Sequence, residues 1–364
     1  MKKITLIGST GSIGKQVVET VKRNPDRFSI AAIVANRPSA EFDRQVKELA
    51  PQTAVLASED YAAALSAVER GDVVFNAAGG FAGLEYSLEA VKAGKTLALA
   101  NKETLVCGGD LIMPLARETG AAILPVDSEH SAIWQCLNFS TDTRVRRLII
   151  TASGGAFRNV PAEKLKCVTP EQALNHPTWK MGAKITVDSA TLMNKGYEVI
   201  EAHVLYGTDY GAIETVIQPQ SIIHSMVEFE DGAVLAQMSY PTMELPISLA
   251  LSYPERLATS LAPMDFTKAF SLGFEPLERK KFPCFDIALH CGERGGIMPC
   301  VLNAADETAV HAFLNGEIAF TDIYRVVEQT VSAFSDEAVE SFSRLKAVND
   351  RAADIARGAI KRIR

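Results

Sequence analysis

The stretch that decides the fold is Gly8-Ser9-Thr10-Gly11-Ser12-Ile13-Gly14, which directly follows the apolar run Lys3–Ile7 and opens an amphipathic stretch, Ile13–Asn24. Glycines at a strand–helix junction permit a tight turn and let a diphosphate approach the backbone N–H groups at a helix N-terminus. The spacing is G-x-x-G-x-x-G rather than the commoner G-x-G-x-x-G, and glycines also serve ordinary turns. The position of the motif indicates a dinucleotide-binding domain.

Outward from this motif, the first third of the chain alternates short apolar runs with helical patterns. Alternation of this kind is typical of a parallel sheet with helices on both faces. The predicted strands are Lys3–Ile7, Ile30–Val34, Thr53–Leu56, Val73–Phe75, Thr96–Ala100 and Ala121–Pro125, with helices over Ile13–Asn24 and Leu84–Ala93. The pattern therefore predicts a Rossmann-like domain.

The rest of the chain changes character twice. Strands are predicted at Arg147–Ala152 and Ile213–Ile217, and Asp231-Gly232 supplies the turn of a hairpin between Met226–Glu230 and Ala233–Met238. Prolines and weak periodicity over 241–283 predict an extended linker in the later part of that stretch. Helical patterns dominate from Phe285 and end in a helix predicted over Asp336–Ile363.

The composition excludes several classes of protein. The chain has 364 residues, of which 47% are hydrophobic, and a net charge of −7, so it is a folded, multi-domain protein and a poor binder of nucleic acid or membrane surfaces. No run approaches the ~20 apolar residues of a membrane helix. The stretch from Ile4 to Ile7, before Gly8, is too short to form the apolar core of a signal peptide. The six cysteines form no C-x-x-C pair, so we expect them to be reduced and mostly buried. We expect a cytoplasmic enzyme.

The dipeptide Asn36-Arg37 follows the second predicted strand, where an NAD-binding fold usually places an acid for the ribose 2′-hydroxyl. No acid occurs here until Glu41. An arginine suits a 2′-phosphate, which favours NADP over NAD. The alternative is that Arg37 is a solvated loop cation.

Carboxylates follow the last strand of this first third, in Asp127-Ser128-Glu129. In an extended segment Asp127 and Glu129 would share one face. Glu198 lies on a predicted helix, and carboxylates without an associated His or Cys favour Mg²⁺ or Mn²⁺ over zinc. The spacing leaves open whether Glu198 meets the other two, and His130 is expected to be packed rather than a ligand.

A candidate anion-binding turn, Ser153-Gly154-Gly155, follows the strand at Arg147–Ala152. Donors suited to a phosphomonoester occur downstream, namely His176, Lys180, Ser189, Asn194 and Lys195. Between them Ala156–Ala183 is polar and irregular and carries an exposed-looking Trp179, which predicts a lid or, equally, a surface loop anchored by its tryptophan. Lys102 ends a strand where ligands of open α/β sheets bind.

Together these segments resemble one family, 1-deoxy-D-xylulose 5-phosphate reductoisomerase of the methylerythritol phosphate route to isoprenoids. The resemblance covers essentially the whole chain, in the family's order. The stretches that carry it are 8–14, Ala100-Asn101-Lys102-Glu103-Thr104-Leu105-Val106, 125–132, Asn175-His176-Pro177-Thr178-Trp179-Lys180-Met181-Gly182, 188–196, Gln218-Pro219-Gln220-Ser221 and Leu302-Asn303-Ala304-Ala305. The chain departs from the family's common pattern at Asn36-Arg37-Pro38, at Ala156 and at Asp306.

The resemblance implies an α/β enzyme with a Rossmann-like NADP-binding domain (1–125), a central α+β catalytic and dimerisation domain (126–252, lid about 153–183), a linker (253–284) and a C-terminal α-helical domain (285–364). It implies that NADPH and Mg²⁺ or Mn²⁺ serve to rearrange and reduce 1-deoxy-D-xylulose 5-phosphate to 2-C-methyl-D-erythritol 4-phosphate. It also implies a homodimer acting on a small sugar phosphate, with no nucleic-acid or membrane partner.

The residues that the resemblance implies fall into three groups. The metal ligands are Asp127, Glu129 and Glu198. The substrate contacts are Lys102, Ser128, Glu129, Ser153, His176, Trp179, Ser189, Asn194, Lys195 and Glu198, with Lys102 and the three metal ligands as catalytic residues. The NADPH contacts are Thr10, Gly11, Ser12, Ile13, Asn36, Arg37, Asn101, Glu103 and Gly182.

Two other classes of function compete with this interpretation. A semialdehyde dehydrogenase would need an acylating cysteine, and none of the six cysteines stands in a recognisable nucleophile setting. An NADP-sensing regulator gives no reason for the Asp127 and Glu129 pair and predicts no metal requirement.

Overall fold

The computed structural model describes residues 1–138 and 144–363. The strands in these residues are β1 (Lys2–Ile7), β2 (Phe28–Ala35), β3 (Thr53–Leu56), β4 (Val73–Asn76), β5 (Thr96–Leu99), β6 (Ile123–Pro125), β7 (Val145–Ala152), β8 (Ile213–Ile217), β9 (Ile223–Phe229) and β10 (Val234–Met238). The helices are α1 (Ser12–Arg23), α2 (Ala40–Leu49), α3 (Tyr61–Ser66), α4 (Gly83–Lys92), α5 (Glu103–Thr119), α6 (Ser128–Cys136), α7 (Pro170–Leu174), α8 (Ala183–Thr191), α9 (Met193–Tyr206), α10 (Glu244–Ser252), α11 (Pro283–Arg294), α12 (Met298–Leu314), α13 (Asp322–Val331) and α14 (Phe342–Ile363).

The chain divides into two compact units. The first unit contains Met1–Leu105, Gly109–Ser131 and Thr242–Leu261. The second unit contains Val106–Gly108, the described part of Ala132–Pro241, and the chain from Ala262 to the end of α14. No helix among the described residues combines the length and the apolar character that a membrane span requires.

The first unit is built on a six-stranded parallel sheet with the order β3-β2-β1-β4-β5-β6. Its strands are apolar because helices cover the sheet; Ile4, Leu6 and Phe75 are fully buried. Each of the six strands lies within two residues of its predicted bounds. The predicted α/β class and its Rossmann-like domain are confirmed.

Helix α10 also belongs to the first unit, although it comes late in the chain. Its sequence predicts no helix, because seven of its nine residues are buried and the polar face that creates a periodic signal is missing. Lys2 Nζ donates to Leu251 O at 3.2 Å and to Tyr253 O at 2.7 Å. Arg23 pairs with Glu244 at 2.6 Å. These contacts attach the segment to β1 and α1.

The second unit contains a four-stranded sheet with the order β10-β9-β7-β8, in which β7 and β8 are parallel and β9 is antiparallel to both of its neighbours. The predicted hairpin is confirmed as β9–β10, and Gly232 has the positive φ of 86° that its turn needs. One face of the sheet packs against α6, α9 and α11 through a core that includes Leu148, Val199 and Phe285.

The helices from α11 to α14 complete the second unit. The last of them begins at Phe342, six residues later than predicted. Ser341 ends the irregular stretch before it, because its hydroxyl accepts from Arg344 N at 3.2 Å and its carbonyl from Leu345 N at 3.1 Å. Glu337 O accepts a hydrogen bond from Ile297 N at 3.0 Å. The helical pattern of the sequence therefore extends past the true N-cap at Ser341.

Candidate active site

The glycine loop after β1 is sterically restricted to glycine at two positions. Gly8 has a φ of 78°, and a Cβ there would lie 2.4 Å from Ala77 O. A Cβ on Gly14 would lie 2.3 Å from Gly8 O. Gly11 gives α1 no side-chain cap, and no acid occupies the first turn. The predicted strand–turn–helix is confirmed, and Thr10, Gly11, Ser12 and Ile13 form a loop suited to an anion.

This loop lies where the strand order of the sheet reverses, between β1 and β4. Ligands of open α/β sheets bind at such a switch point. Asn36 and Arg37 follow β2, which pairs with β1, and both are exposed. The structure therefore places an exposed guanidinium after the strand that neighbours the glycine loop.

Asn101 is held by a buried polar network at the ends of β4 and β5. Its Nδ2 donates to Ala78 O and Gly80 O at 3.0 Å each and to Glu103 at 2.8 Å. Thr104 donates to Asn101 Oδ1 at 2.6 Å and contacts Ser87 Oγ at 2.9 Å. Buried donors and acceptors paired in this way hold one side-chain orientation.

Sequence reasoning did not single out the network's supporting residues Asn76, Ser87 and Thr104, all of which are fully buried. Asn76 donates to Ser87 Oγ at 2.7 Å and to Gly83 O at 2.8 Å. Asn76 could have been noticed in the sequence, because it is a polar residue at the end of the apolar strand 73–75 and a polar group at a buried strand end needs a hydrogen-bond partner.

Lys102, Asp127, Ser128 and Glu129 lie together in the first unit. Lys102 is nearly buried after β5, and its Nζ donates to Asp127 Oδ2 at 2.7 Å. Ser128 donates to Glu129 Oε2 at 2.5 Å. Asp127 and Glu129 are both half-buried.

The predicted extended conformation of Asp127-Ser128-Glu129 is wrong. Helix α6 begins at Ser128, and Ser131 N donates to Asp127 O at 2.8 Å, so Asp127 stands at the N-cap and Glu129 in the first turn. The positive end of the helix dipole stabilises carboxylates there. His130 is fully buried, as expected, with Nδ1 4.0 Å from Asp127 Oδ2.

In the second unit Ser153, His176 and Ser189 come together from three separate segments. His176 Nε2 lies 2.9 Å from Ser153 Oγ and 3.1 Å from Ser189 Oγ. The turn after β7 uses two positive-φ glycines, and a Cβ on Gly155 would lie 2.4 Å from Ser189 O. The turn therefore packs directly against α8.

The environment of His176 sets its charge and tautomer. Its Nδ1 accepts from Trp179 N at 2.9 Å and Thr178 N at 3.2 Å, so a neutral ring carries its proton on Nε2. Burial lowers the pKa of His176 to about 4. At neutral pH the ring is uncharged, and Nε2–H is a donor aimed at the two serine hydroxyls.

Glu198 lies on α9 with Asn194 and Lys195 one turn before it, as the sequence predicts. Glu198 is 1% exposed and Lys195 is 4% exposed. Asn194 Nδ2 donates to Glu198 Oε1, and Lys195 Nζ forms a buried ion pair with Oε2. Removing either partner of such a buried ion pair would leave an uncompensated charge in the protein interior.

The segment predicted as a lid is more ordered than its sequence indicates. It contains a 3₁₀ turn (Ala162–Cys167) and α7, which Thr169 and Gln172 cap reciprocally. Trp179 is half-buried rather than exposed, with its ring 6.0 Å from that of His224. Gly182 is exposed at the N-cap of α8.

The six cysteines are free, and all except Cys167 are buried. Burial raises the pKa of Cys136 to about 11 and that of Cys291 to about 12. A nucleophilic cysteine needs a lowered pKa, so these environments are those of inert thiols.

A Rossmann-like unit with a glycine loop and an arginine after β2, joined in one chain to a unit rich in phosphate-type donors, defines the class of NADP-dependent oxidoreductases. Three models of one family match the chain: 1-deoxy-D-xylulose 5-phosphate reductoisomerase over 4–71 and 55–109, its C-terminal domain over 123–206, and the DXP reductoisomerase C-terminal domain over 238–355. The chain belongs to the 1-deoxy-D-xylulose 5-phosphate reductoisomerase family, and the resemblance predicted from the sequence is confirmed.

Relatives and solved structures agree over nearly the full length. The reductoisomerase of Crocosphaera subtropica is 48% identical over 92% of this chain and 90% of its own, and that of Bacteroides fragilis is 45% identical over 99% and 98%. The Zymomonas mobilis enzyme in complex with NADPH has a TM-score of 0.91 at 39% identity and covers 99% of both chains. A DOX-P reductoisomerase in complex with NADPH, fosmidomycin and magnesium has a TM-score of 0.91 at 34% identity, over 99% of this chain and 98% of its own.

Proposed function

We propose that this chain catalyses the NADPH- and divalent-metal-dependent rearrangement and reduction of 1-deoxy-D-xylulose 5-phosphate to 2-C-methyl-D-erythritol 4-phosphate. The observation that carries the proposal is full-length similarity, in sequence and fold, to enzymes of this name. The carboxylates, the hydroxyl, amide and lysine donors and the glycine loop described above also support the proposal.

Asp127, Glu129 and Glu198 are the proposed ligands of Mg²⁺ or Mn²⁺. The donor set supports a hard cation, because it offers carboxylate oxygens only. The three carboxylates are buried or half-buried, and exposed acids would instead be satisfied by water. A bound divalent cation supplies Lewis-acid stabilisation of negative charge on the substrate's oxygens. Lys102, Ser128 and Glu129 are proposed to orient the substrate's hydroxyl groups.

The phosphate group of the substrate is assigned to Ser153, Ser189, Asn194 and Lys195, with His176 beside them. Neutral His176 holds its Nε2 proton against the two serine hydroxyls and so orients them as donors. Lys195 adds a positive charge. Phosphate binding is remote from the reacting carbons, so it can close the segment that carries Trp179 and exclude water.

NADPH is assigned to Thr10, Gly11, Ser12, Ile13, Asn36, Arg37, Asn101, Glu103 and Gly182. Two observations support the fit: a Cβ would collide with backbone at both Gly8 and Gly14, and the N-terminus of α1 carries neither a side-chain cap nor an acid. When bound, the nicotinamide supplies the hydride.

We also propose that the chain is organised as an NADPH-binding domain (1–125), a catalytic and dimerisation domain (126–252), a linker (253–284) and a C-terminal helical domain (285–364).

The direct test is oxidation of NADPH, followed at its absorbance, with 1-deoxy-D-xylulose 5-phosphate and Mg²⁺ or Mn²⁺, with and without a chelator. We expect consumption that requires both substrate and metal. NADPH that binds but is never oxidised would refute the catalytic assignment and favour the regulator.

Replacing Arg37 by Ala tests cofactor choice. We expect KM for NADPH to rise about 10- to 100-fold, the worth of one charge-assisted phosphate contact, while KM for NADH stays constant. The control is Arg70→Ala, which removes another exposed arginine of the first unit. Equal Michaelis constants for NADPH and NADH in the wild type would refute the role.

We propose that the chain is a cytoplasmic homodimer and that β10 forms the subunit contact. This strand is at the edge of its sheet, where backbone N–H and C=O groups can pair with another strand. Val234 and Leu235 are 49% and 50% exposed there. Exposed apolar side chains on an edge strand favour a protein contact.

Replacing Leu235 by Lys is expected to convert the dimer to a monomer, because an ammonium group would lose its water on burial in an apolar contact. Analytical ultracentrifugation measures the mass. Leu174→Lys, which alters a leucine 41% exposed on α7, is the matched control and should leave the mass unchanged. A Leu235→Lys protein that stays dimeric would remove β10 from the interface.

A further inference from the structure

A buried cluster of charged side chains lies in the second unit, apart from the residues assigned above. Lys184 and Asp188 stand one turn apart on α8, and Asp306 lies on α12. Lys184 Nζ donates to Asp188 Oδ2 at 2.6 Å and to Asp306 Oδ2 at 2.8 Å. Asp188 is 3% exposed and Asp306 is 0% exposed. One ammonium group therefore faces two buried carboxyl groups.

The charges of this cluster do not balance if both acids are ionised. Within the described chain, Lys184 is the cation that pairs with these carboxyl groups, so two carboxylates would leave one negative charge buried. Uncompensated buried charge is strongly unfavourable. Burial and the neighbouring Asp306 raise the pKa of Asp188 well above its usual range. A proton on one acid removes the excess charge.

The hydrogen bonds of the cluster are also incomplete without a proton. Oδ1 of Asp188 and Oδ1 of Asp306 are buried and have no hydrogen-bond partner among the described residues. The other oxygen of each carboxyl group accepts from the same Lys184 ammonium, so the two groups lie side by side around it. A protonated carboxyl group becomes a donor, which two ionised carboxylates lack.

Other groups that face this cluster supply no second cation within the described residues. Tyr197 of α9 has its ring centroid 5.3 Å from Lys184 Nζ. Burial, together with the two acids, raises the pKa of Cys284 on α11 well above its usual range, so its thiol is neutral. The acid of α7, Glu171, is exposed and hydrogen-bonded to Thr169.

We propose that Asp188 and Asp306 share one proton at neutral pH and, with Lys184, form a clamp between α8 and α12 that keeps Ser189 facing His176. Ser189 follows Asp188 directly, and its backbone packs against Gly155, so a shift of α8 would reach the turn at Ser153. The clamp residues are positioning residues, and this role rests on the proposed phosphate site.

The first experiment measures thermal unfolding against pH for the wild type, Asp306→Asn and Asp188→Asn. Asp188, whose pKa is raised by burial, binds more protons in the folded protein than in the unfolded chain, so its contribution to stability falls as pH rises from about 4 toward the folded pKa. Each variant balances Lys184 with one carboxylate and needs no proton. We therefore expect the wild-type melting temperature to fall, relative to both variants, by about 2–3 °C per pH unit.

The control is Asp354→Asn, which changes an exposed acid of α14 that pairs with Arg357. It should run parallel to the wild type across the pH range. If the melting temperatures of Asp306→Asn and Asp188→Asn also change with pH as the wild type's does, the proposal of a shared proton is wrong.

The second experiment measures kcat and KM for 1-deoxy-D-xylulose 5-phosphate against pH. We expect KM of the wild type to rise about fivefold or more at alkaline pH with kcat little changed, and Asp306→Asn to abolish this rise. Parallel KM profiles would overturn the positioning role. If no variant turns over this substrate, the proposed function fails instead; calorimetric binding of inorganic phosphate at acid and alkaline pH then replaces KM, and the unfolding arm is unaffected.

Discussion

Glu198→Gln is expected to lower kcat by at least about 100-fold in saturating Mg²⁺. The carboxylate is 1% exposed and accepts from Asn194 and Lys195, one on each oxygen. Glutamine keeps the size of the side chain but turns one oxygen into a donor, which must then face another donor. It also removes one of the proposed metal's negative ligands.

Two measurements separate these effects. Steady-state kinetics against Mg²⁺ concentration reports turnover, and electron paramagnetic resonance of Mn²⁺ reports binding without catalysis. We expect weaker Mn²⁺ binding in the variant. The matched control is Glu293→Gln, an exposed glutamate of α11, which should behave as the wild type. Near-normal turnover of Glu198→Gln would remove this residue from the metal site.

Gly14→Ala is expected to abolish NADPH binding and to lower the free energy of unfolding of the first unit by about 3 kcal/mol. The new Cβ would lie 2.3 Å from Gly8 O and 2.5 Å from Ser9 O. Both neighbours are backbone atoms of the glycine loop, so the loop must move as a whole.

Fluorescence titration with NADPH and thermal unfolding measure the two effects. Gly211→Ala serves as control, because a Cβ there meets nothing within 4 Å and its φ is not positive. If Gly14→Ala binds NADPH with unchanged affinity, the loop after β1 is not the diphosphate site.

Most of the strands could be predicted from short stretches of the sequence. The six strands of the parallel sheet and the hairpin β9–β10 follow from apolar runs and turn residues whose signal lies within a few positions of each strand. Helix α10 could not be predicted in this way. Its sequence is apolar on all sides because it packs against α1 and β6, so it has no periodic polar face. The start of α14 was placed too early because Ser341 and the contact at Glu337, rather than periodicity, end the irregular stretch.

The candidate site divides in the same manner. The glycine loop, Arg37 and the i, i+4 relation of Asn194 to Glu198 are short-range features, and the sequence shows them directly. The pairing of Lys102 with Asp127 and the meeting of Ser153, His176 and Ser189 join residues far apart in the chain. The conformation at Asp127-Ser128-Glu129 was predicted wrongly because an N-terminal helical turn and an extended end have similar polar sequences.

The sequence by itself determined the family, the strand–turn–helix of the nucleotide loop and the chemical types of the site residues, because these depend on residue identity and short spacing. Tertiary structure alone decided which groups carry protons. His176 is neutral because burial and two backbone N–H donors on Nδ1 disfavour its cation. Two ionised carboxylates at Asp188 and Asp306 would leave an excess negative charge because folding buries both acids around one lysine, and desolvation depends on neighbours that the chain brings together only when folded.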